Sequence, residues 1–191
     1  MASGRPKAEG KPMAEILGES RFDPVSTADK AFVLAFDHEM RRLGYGFGGE
    51  IGSGFCWGKY MIVYRKRGVA DKKVFARIYI RESDIVLRLF FSKVDNHHKF
   101  IESAPRHIKD VFTGEAAGCK HCKNERDGAC RFRKVYTIAG RTMEKCNGHT
   151  FRFEKPEQDK LDDYVDLFTE FYPLKRNKKE KPIVARRDAP V

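Results

Sequence analysis

The stretch that most constrains the fold runs from Gly118 to Gly148, because it gathers four of the five cysteines into about thirty residues. Two of these cysteines form a C-x2-C pair, and the other two follow singly. Structural zinc sites take four soft donors in a tetrahedron, and four thiolates supply that set without any other ligand. The spacing therefore predicts one structural zinc ion bound by Cys119, Cys122, Cys130 and Cys146.

The residues around the last two cysteines predict a small β ribbon. Residues 132–138 and 142–145 read as two strands joined at Ala139-Gly140-Arg141, and residues 149–153 read as a third strand. A ribbon of this kind would bring Cys130 and Cys146 to its base, beside the C-x2-C pair.

Other cysteine chemistries stay open at this point. Disulfides are the main alternative, yet the first twenty residues show no apolar core of a signal peptide and the cysteine count is odd. We therefore expect a reducing, cytoplasmic location, where thiols bind metal or stay free. An iron–sulfur cluster, redox thiols, unliganded cysteines, or His121 or His149 in place of one ligand are the remaining alternatives. A catalytic zinc needs a position open for water, so four cysteines favour a structural role.

Composition and charge narrow the class of protein. The chain has 191 residues, of which 41% are hydrophobic, so it can bury one core. No apolar run approaches the roughly eighteen residues of a membrane span. The formal net charge is +11, which favours acidic partners, nucleic acid first and acidic proteins next.

The patterns along the chain predict an α+β fold, with helices packed on an antiparallel sheet and a small zinc-bound β ribbon attached. Four segments follow from this interpretation. They are a disordered N-terminal tail (1–20), an α+β core (21–116), the four-cysteine ribbon with a C-terminal helix packed on the core (117–173), and a basic disordered tail (174–191).

Residues 57–66, 74–81 and 85–91 are the predicted strands of the main sheet. In the second and third strands one face is apolar, while the other mixes arginines with aromatic rings. Such a face can bind nucleic acid, although arginine stems lying over rings are also common on ordinary half-exposed sheets. The candidate partner-binding residues, including basic residues of the ribbon, are Arg77, Tyr79, Arg81, Arg88, Phe90, Arg131, Arg133 and Lys134.

A glycine-rich stretch, residues 44–58, precedes the first of these strands. It lacks the Gly-Lys-Ser or Gly-Lys-Thr of a phosphate-binding loop and is followed by a strand pattern, which argues against a nucleotide site of that type. It could instead border a small-molecule pocket.

The motifs resemble an uncharacterised group of small bacterial proteins. The resemblance is carried by YMIVYRKRG, by the KKVFARIYIRE and IVLRLFF hairpin, and by a segment with C-x2-C, C-x-FRK-x-Y-T-I and EKCNG that ends in LFTEFYP. It covers about residues 32–173 and implies a single domain, but no activity.

These observations favour a non-enzymatic, zinc-stabilised protein that binds nucleic acid or another acidic partner. No Ser/His/Asp order, paired carboxylates or nucleophile motif is evident. The alternatives are a small-molecule sensor or enzyme with a pocket near residues 44–58, and a protein–protein adaptor.

Overall fold

The computed structural model describes residues 11–70, 72–114, 133–146 and 150–174. The predicted α+β class with antiparallel sheets is confirmed. The helices are α1 (Met13–Leu17), α2 (Thr27–Arg42), α3 (His98–Ser103), α4 (Arg106–Thr113) and α5 (Leu161–Phe171). The strands are β1 (Tyr45–Gly46), β2 (Gly52–Ser53), β3 (Tyr60–Lys66), β4 (Ala76–Ile80), β5 (Ile85–Leu89), β6 (Arg133–Ile138), β7 (Arg141–Cys146) and β8 (Arg152–Glu154).

The main sheet has the strand order β1-β3-β4-β5-β8, and β2 also pairs with β3. The three predicted strands are confirmed as β3, β4 and β5. The prediction that residues 149–153 form a third ribbon strand is wrong. The strand in this region is β8, and it pairs antiparallel with β5 in the main sheet. Its Phe153 lies opposite Leu87 and is buried, so burial against the sheet core decides where β8 pairs.

One face of this sheet is apolar and covered by helices. Ile62, Ile78, Leu87 and Phe153 are consecutive cross-strand neighbours on it, and we call them the apolar row. Two ring contacts join this face to α2 and α5: the Phe36 and Tyr64 centroids are 5.4 Å apart, and those of Phe153 and Tyr164 are 5.0 Å apart.

Helix α2 begins after Ser26, whose Oγ accepts a hydrogen bond from the Asp29 N–H at 3.0 Å and so caps the helix. The predicted disorder of residues 1–20 is corrected for residues 11–20. Helix α1 buries Met13, Ile16 and Leu17 in the core. A helix of five residues is too short to show periodicity in sequence, but its i, i+3, i+4 spacing suffices to cover one edge of the core.

Strands β6 and β7 form a separate hairpin. Its turn, Ala139-Gly140, has positive φ at both residues, as a two-residue hairpin turn requires. The hairpin packs on the α3–α4 region, where the Tyr136 hydroxyl donates to the Phe112 carbonyl at 2.8 Å and Lys145 Nζ donates to the Val111 carbonyl at 2.8 Å.

Two histidines join the α3–α4 region to α5. His97 Nδ1 lies 2.8 Å from Glu170 Oε1, and His107 Nε2 lies 3.2 Å from Asp163 Oδ2. Pro105 separates α3 from α4. In the described part of the chain, no helix combines the length and apolar character that a membrane span requires.

Candidate functional site

The second face of the main sheet carries three arginines side by side. Arg77 on β4 lies directly opposite Arg88 on β5, and Arg88 lies directly opposite Arg152 on β8. We call these residues the arginine row. Because side chains alternate along a strand, the arginine row runs parallel to the apolar row but faces away from it. Cross-strand neighbours have Cβ atoms about 5 Å apart, and like charges at that distance destabilise a sheet.

Arg77 is half-buried. Its Nη1 donates to the Tyr79 hydroxyl at 3.2 Å, and its guanidinium carbon lies 5.2 Å from the centre of the Phe90 ring. The Nε of Arg77 is buried and has no hydrogen-bond acceptor among the described residues. Such a charged donor costs free energy unless an acceptor reaches it.

Arg88 is the central residue and is only 6% exposed. Burial lowers the pKa of Arg88, the Tyr79 hydroxyl opposes that effect, and the charges of Arg77 and Arg152 lower the pKa further. A guanidinium stays protonated in proteins, so the cost appears as unfavourable energy rather than as loss of the proton. The Phe90 ring lies 4.5 Å from its guanidinium carbon and compensates part of that cost.

Arg152 completes the row at β8. Its guanidinium carbon lies 4.9 Å from the centre of the Trp57 ring, and its Nη2 donates to Glu154. The same carboxylate accepts from Arg81 Nη1 at 2.8 Å, while Arg81 also lies 3.5 Å from Asp84. Arg81 is therefore neutralised by two carboxylates, and one of these carboxylates is shared with the row.

The basic residues predicted on the ribbon lie in different surroundings. Lys134 donates from Nζ to the Phe91 carbonyl at 2.8 Å, and its pKa is lowered by burial and by the charge of Arg88. Lys134 thus adds a cation beside the arginine row. Arg133 is exposed and pairs with Glu144 across the hairpin at 2.7 Å. Arg131 lies outside the described residues.

The aromatic residues predicted for stacking are less exposed than a stacking surface needs. Tyr79 is 1% exposed, and the Trp57 ring lies 6.3 Å from it. Phe90 is half-buried beneath the two arginines. These rings therefore orient guanidinium groups inside the protein, and the contacts with a ligand fall to the cations.

Exposed cations lie beside the row at the tip of the β3–β4 hairpin, which sequence reasoning did not select. We call this group the basic tip; all its side chains are exposed, and its members are Arg65, Lys66, Arg67, Lys72 and Lys73. Arg65 has the same strand parity as Val63, the cross-strand neighbour of Arg77, so it shares the face of the arginine row.

A tight turn lies at the other end of the same face. A Cβ atom on Gly54 would lie 2.2 Å from the Gly58 carbonyl oxygen, and one on Gly58 would lie 2.8 Å from the Ile80 carbonyl oxygen. Only glycine allows this approach. Between them Phe55 has φ of 53° and is 79% exposed, which is a strained and solvated position for an aromatic residue.

The glycine-rich stretch also borders an open cleft of about 380 Å³ beside β3. Its lining includes Phe47, Glu50, Met61, Val63 and Arg65. The cleft holds one carboxylate and one cation but no convergent set of catalytic groups.

The structure describes one of the four predicted zinc ligands. Cys146 is half-buried at the end of β7, opposite Arg133, while Cys119, Cys122 and Cys130 lie outside the described residues. Within the described ranges no group of three or more His, Cys, Asp or Glu side chains is placed to hold a metal ion. The zinc site therefore stays a prediction.

No protein-family model, curated protein or solved structure matches this chain. Of the site, sequence reasoning missed Arg152 and Trp57. The alternation of Arg152 and Glu154 around Phe153 was the available signal, but it does not say which sheet the strand joins.

Proposed function

We propose that this chain is a non-enzymatic, zinc-stabilised protein that binds nucleic acid through the face formed by the basic tip and the arginine row. One observation carries the proposal: Arg65 of the exposed basic tip shares one side of the main sheet with the row of three arginines, and the other cations of the tip lie next to Arg65 along the chain or at the facing end of the hairpin. This arrangement concentrates positive potential on one face, while the opposite face is closed by helices.

The exposed tip suits the phosphate backbone of a nucleic acid. Each lysine or arginine that neutralises a phosphate releases condensed counterions, and this release supplies most of the sequence-independent affinity. The tip lies at one end of the main sheet, where β3 pairs with β1 and β4, and its exposed side chains are accessible to a polyanion. A protein partner with an acidic surface is the competing reading of the same charges.

The proposal keeps the zinc ion bound by Cys119, Cys122, Cys130 and Cys146. Cys146 ends β7 opposite Arg133, and Cys130 precedes Arg133 by three residues in sequence, a span of at most about 11 Å. The hairpin register therefore agrees with the predicted convergence of these two cysteines. Zinc binding there would tie the base of the hairpin to the C-x2-C segment, since binding energy in such modules is folding energy.

A binding titration tests the nucleic-acid proposal. The full chain is titrated into a fluorescently labelled 20-nucleotide DNA, single- or double-stranded, at 50 and 200 mM NaCl, with fluorescence anisotropy as the readout. We expect binding that weakens steeply with salt. Substituting Arg65, Lys66 and Lys72 together by Gln should lower the slope of log affinity against log salt by about 2 to 3.

The matched control removes the same charge elsewhere. Lys11, Arg21 and Arg42 are exposed and belong to the N-terminal region around α1 and α2, on the side of the covered face. Their combined substitution by Gln should leave the slope close to that of the wild type. An equal decrease of the salt slope in both triple variants would mean that net charge alone attracts the nucleic acid. No binding at 50 mM NaCl would refute the proposal.

Elemental analysis tests the zinc site. We expect one zinc per chain in the wild type, a loss of zinc and a lower melting temperature in Cys146→Ser, and no change in Cys56→Ser, whose side chain is exposed. Metal-free protein that is fully folded would remove zinc from the proposal without affecting the basic face.

A further inference from the structure

We propose that the arginine row is a binding site for a phosphomonoester, that is, a terminal phosphate group carrying close to two negative charges. The claim that this phosphate is the end group of a nucleic acid rests on the proposed function. The claim that the arginine row binds a phosphate does not. The row takes the terminal phosphate, and the basic tip takes the backbone that follows it.

The register is the first argument. Arg77, Arg88 and Arg152 occupy directly opposed positions on three adjacent strands, so each neighbour repels the next. A single substitution of Arg88 would relieve both repulsions at once. An arrangement that keeps three arginines on directly opposed positions gains stability when a multivalent anion binds among them.

The donors are the second argument. Arg88 and Arg152 make further interactions within the protein, but Arg77 Nε is buried and lacks an acceptor in the part of the chain that the structure describes. Guanidinium groups present planar pairs of N–H donors that match phosphate oxygens. The Nε–H of Arg77 belongs to one such pair. The rings of Phe90 and Trp57 hold the guanidinium planes of the row in place, which reduces the ordering cost of binding.

Enclosure is the third argument, and it selects the class of phosphate. Arg88 is 6% exposed, the Arg152 side chain is 12% exposed, and Arg77 is half-buried. A phosphodiester inside a chain must enter and leave a site along the strand direction, which an enclosed row does not permit. A terminal phosphate has only one covalent attachment to its chain, and its charge of about −1.5 to −2 suits several cations.

The first experiment uses inorganic phosphate as the probe. The melting temperature of the full chain is measured in 0 to 20 mM phosphate, with chloride added to hold the ionic strength constant. We expect a rise of about 2 to 4 °C when phosphate reaches about five times its dissociation constant. Sulfate, a dianion of similar size, should act in the same direction.

Three variants locate the effect. Arg77→Gln should abolish the rise, and Arg77→Lys should restore part of it because charge returns without the forked geometry. Arg42→Gln, exposed on α2, removes one charge away from the row and should keep the full rise. If Arg77→Gln and wild type rise equally, the row is not the site. A flat response in wild type would mean that the protein's own groups already satisfy the row.

The second experiment links the site to the proposed function. Affinities are compared for two 12-nucleotide single strands that differ only in a 5′-phosphate or a 5′-hydroxyl. We expect the phosphorylated strand to bind about tenfold more tightly in wild type and equally in Arg77→Gln, because one charge-assisted contact is of that order.

The outcomes separate the two proposals. A phosphate-dependent rise without oligonucleotide binding keeps the anion site and refutes the nucleic-acid function. Oligonucleotide binding without a phosphate effect, and without preference for the phosphorylated end, keeps the function and overturns the anion site.

Discussion

The two faces of the main sheet are built by the same strands yet are stabilised in opposite ways. Leu87 belongs to the apolar row and Arg88 to the arginine row, and they are consecutive residues of β5. Both are buried. On one face burial itself supplies the stability, whereas on the other burial desolvates charges that repel one another. An anionic ligand would therefore stabilise the arginine face more than the apolar face.

The largest expected effect is the loss of a buried side chain from the apolar row. Leu87→Ala should lower the free energy of unfolding by about 2–5 kcal/mol, because Leu87 is fully buried and surrounding side chains relax only partially into such a cavity. Urea denaturation followed by circular dichroism measures this change.

The second variant for comparing the two faces replaces Arg88, the residue next to Leu87. Arg88→Met keeps similar volume and removes the central charge, so we expect a change within about 1 kcal/mol, in either direction. A loss as large as that of Leu87→Ala would show that Arg88 is satisfied inside the protein and would weaken the contrast between the faces.

Alkaline pH should act oppositely on the two sides. Burial raises the pKa of Tyr164, which contacts Phe153 of the apolar row, to about 12. The neutral phenol is therefore favoured in the folded state, and its contribution is present below pH 10 and lost as the pH rises through about 12. Tyr164→Phe should remove about 2 kcal/mol of this alkaline loss, measured by urea denaturation between pH 8 and 12.

Lys134, beside the arginine row, should change stability with pH in the opposite direction to Tyr164. Its lowered pKa means that the folded state releases its proton first, so stability increases with pH between its folded pKa and the ordinary value of 10.5. Lys134→Met should therefore lose that gain in stability.

For Tyr164, a Tyr164→Phe variant whose stability changes with pH above 10 as the wild type does would contradict the assignment of the alkaline loss to this residue.

Much of the fold follows from local patterns, and the site does so only in part. The period of two in residues 74–91 places Arg77 and Arg88 on one face, and the capped apolar pattern after Ser26 defines α2. The third arginine depends on β8 pairing with β5, more than sixty residues away in sequence. That pairing is set by burial of Phe153 and is not visible in a strand of three residues.

The burial of Tyr79 was equally hidden from the sequence. It depends on the turn between Gly54 and Gly58, which brings Trp57 over the second face. Seven glycines in residues 44–58 indicate an unusual backbone but do not specify which ring it delivers. Pattern therefore predicts which residues share a face, whereas tertiary packing decides which of them stay exposed.

A smaller effect concerns the repulsion along the arginine row. In chloride buffer at 20 mM salt, Arg77→Gln should raise the free energy of unfolding by about 0.2–1 kcal/mol, because one like-charge pair is removed. At 500 mM salt the gain should shrink through screening. The measurement is urea denaturation at both salt concentrations, with Arg42→Gln as the variant of equal charge.

Destabilisation by Arg77→Gln at both salt concentrations would mean that its contacts with Tyr79 and Phe90 outweigh the repulsion. The arginine row would then be an internal support like the apolar row, and the contrast between the faces would vanish.

The smallest effect concerns Phe55, whose turn delivers Trp57 to the arginine face. Phe55 has a positive φ and is mostly exposed, so replacing it loses little burial. Asn tolerates the left-handed region better than other non-glycine residues, and we expect Phe55→Asn to gain about 0.5 kcal/mol by thermal or urea unfolding. Phe55→Ala is the control, because it removes the same ring but keeps the unfavourable conformation. If Ala gains as much as Asn, the cost at this position comes from the exposed ring; if only Asn gains, it comes from the backbone that the two glycines impose.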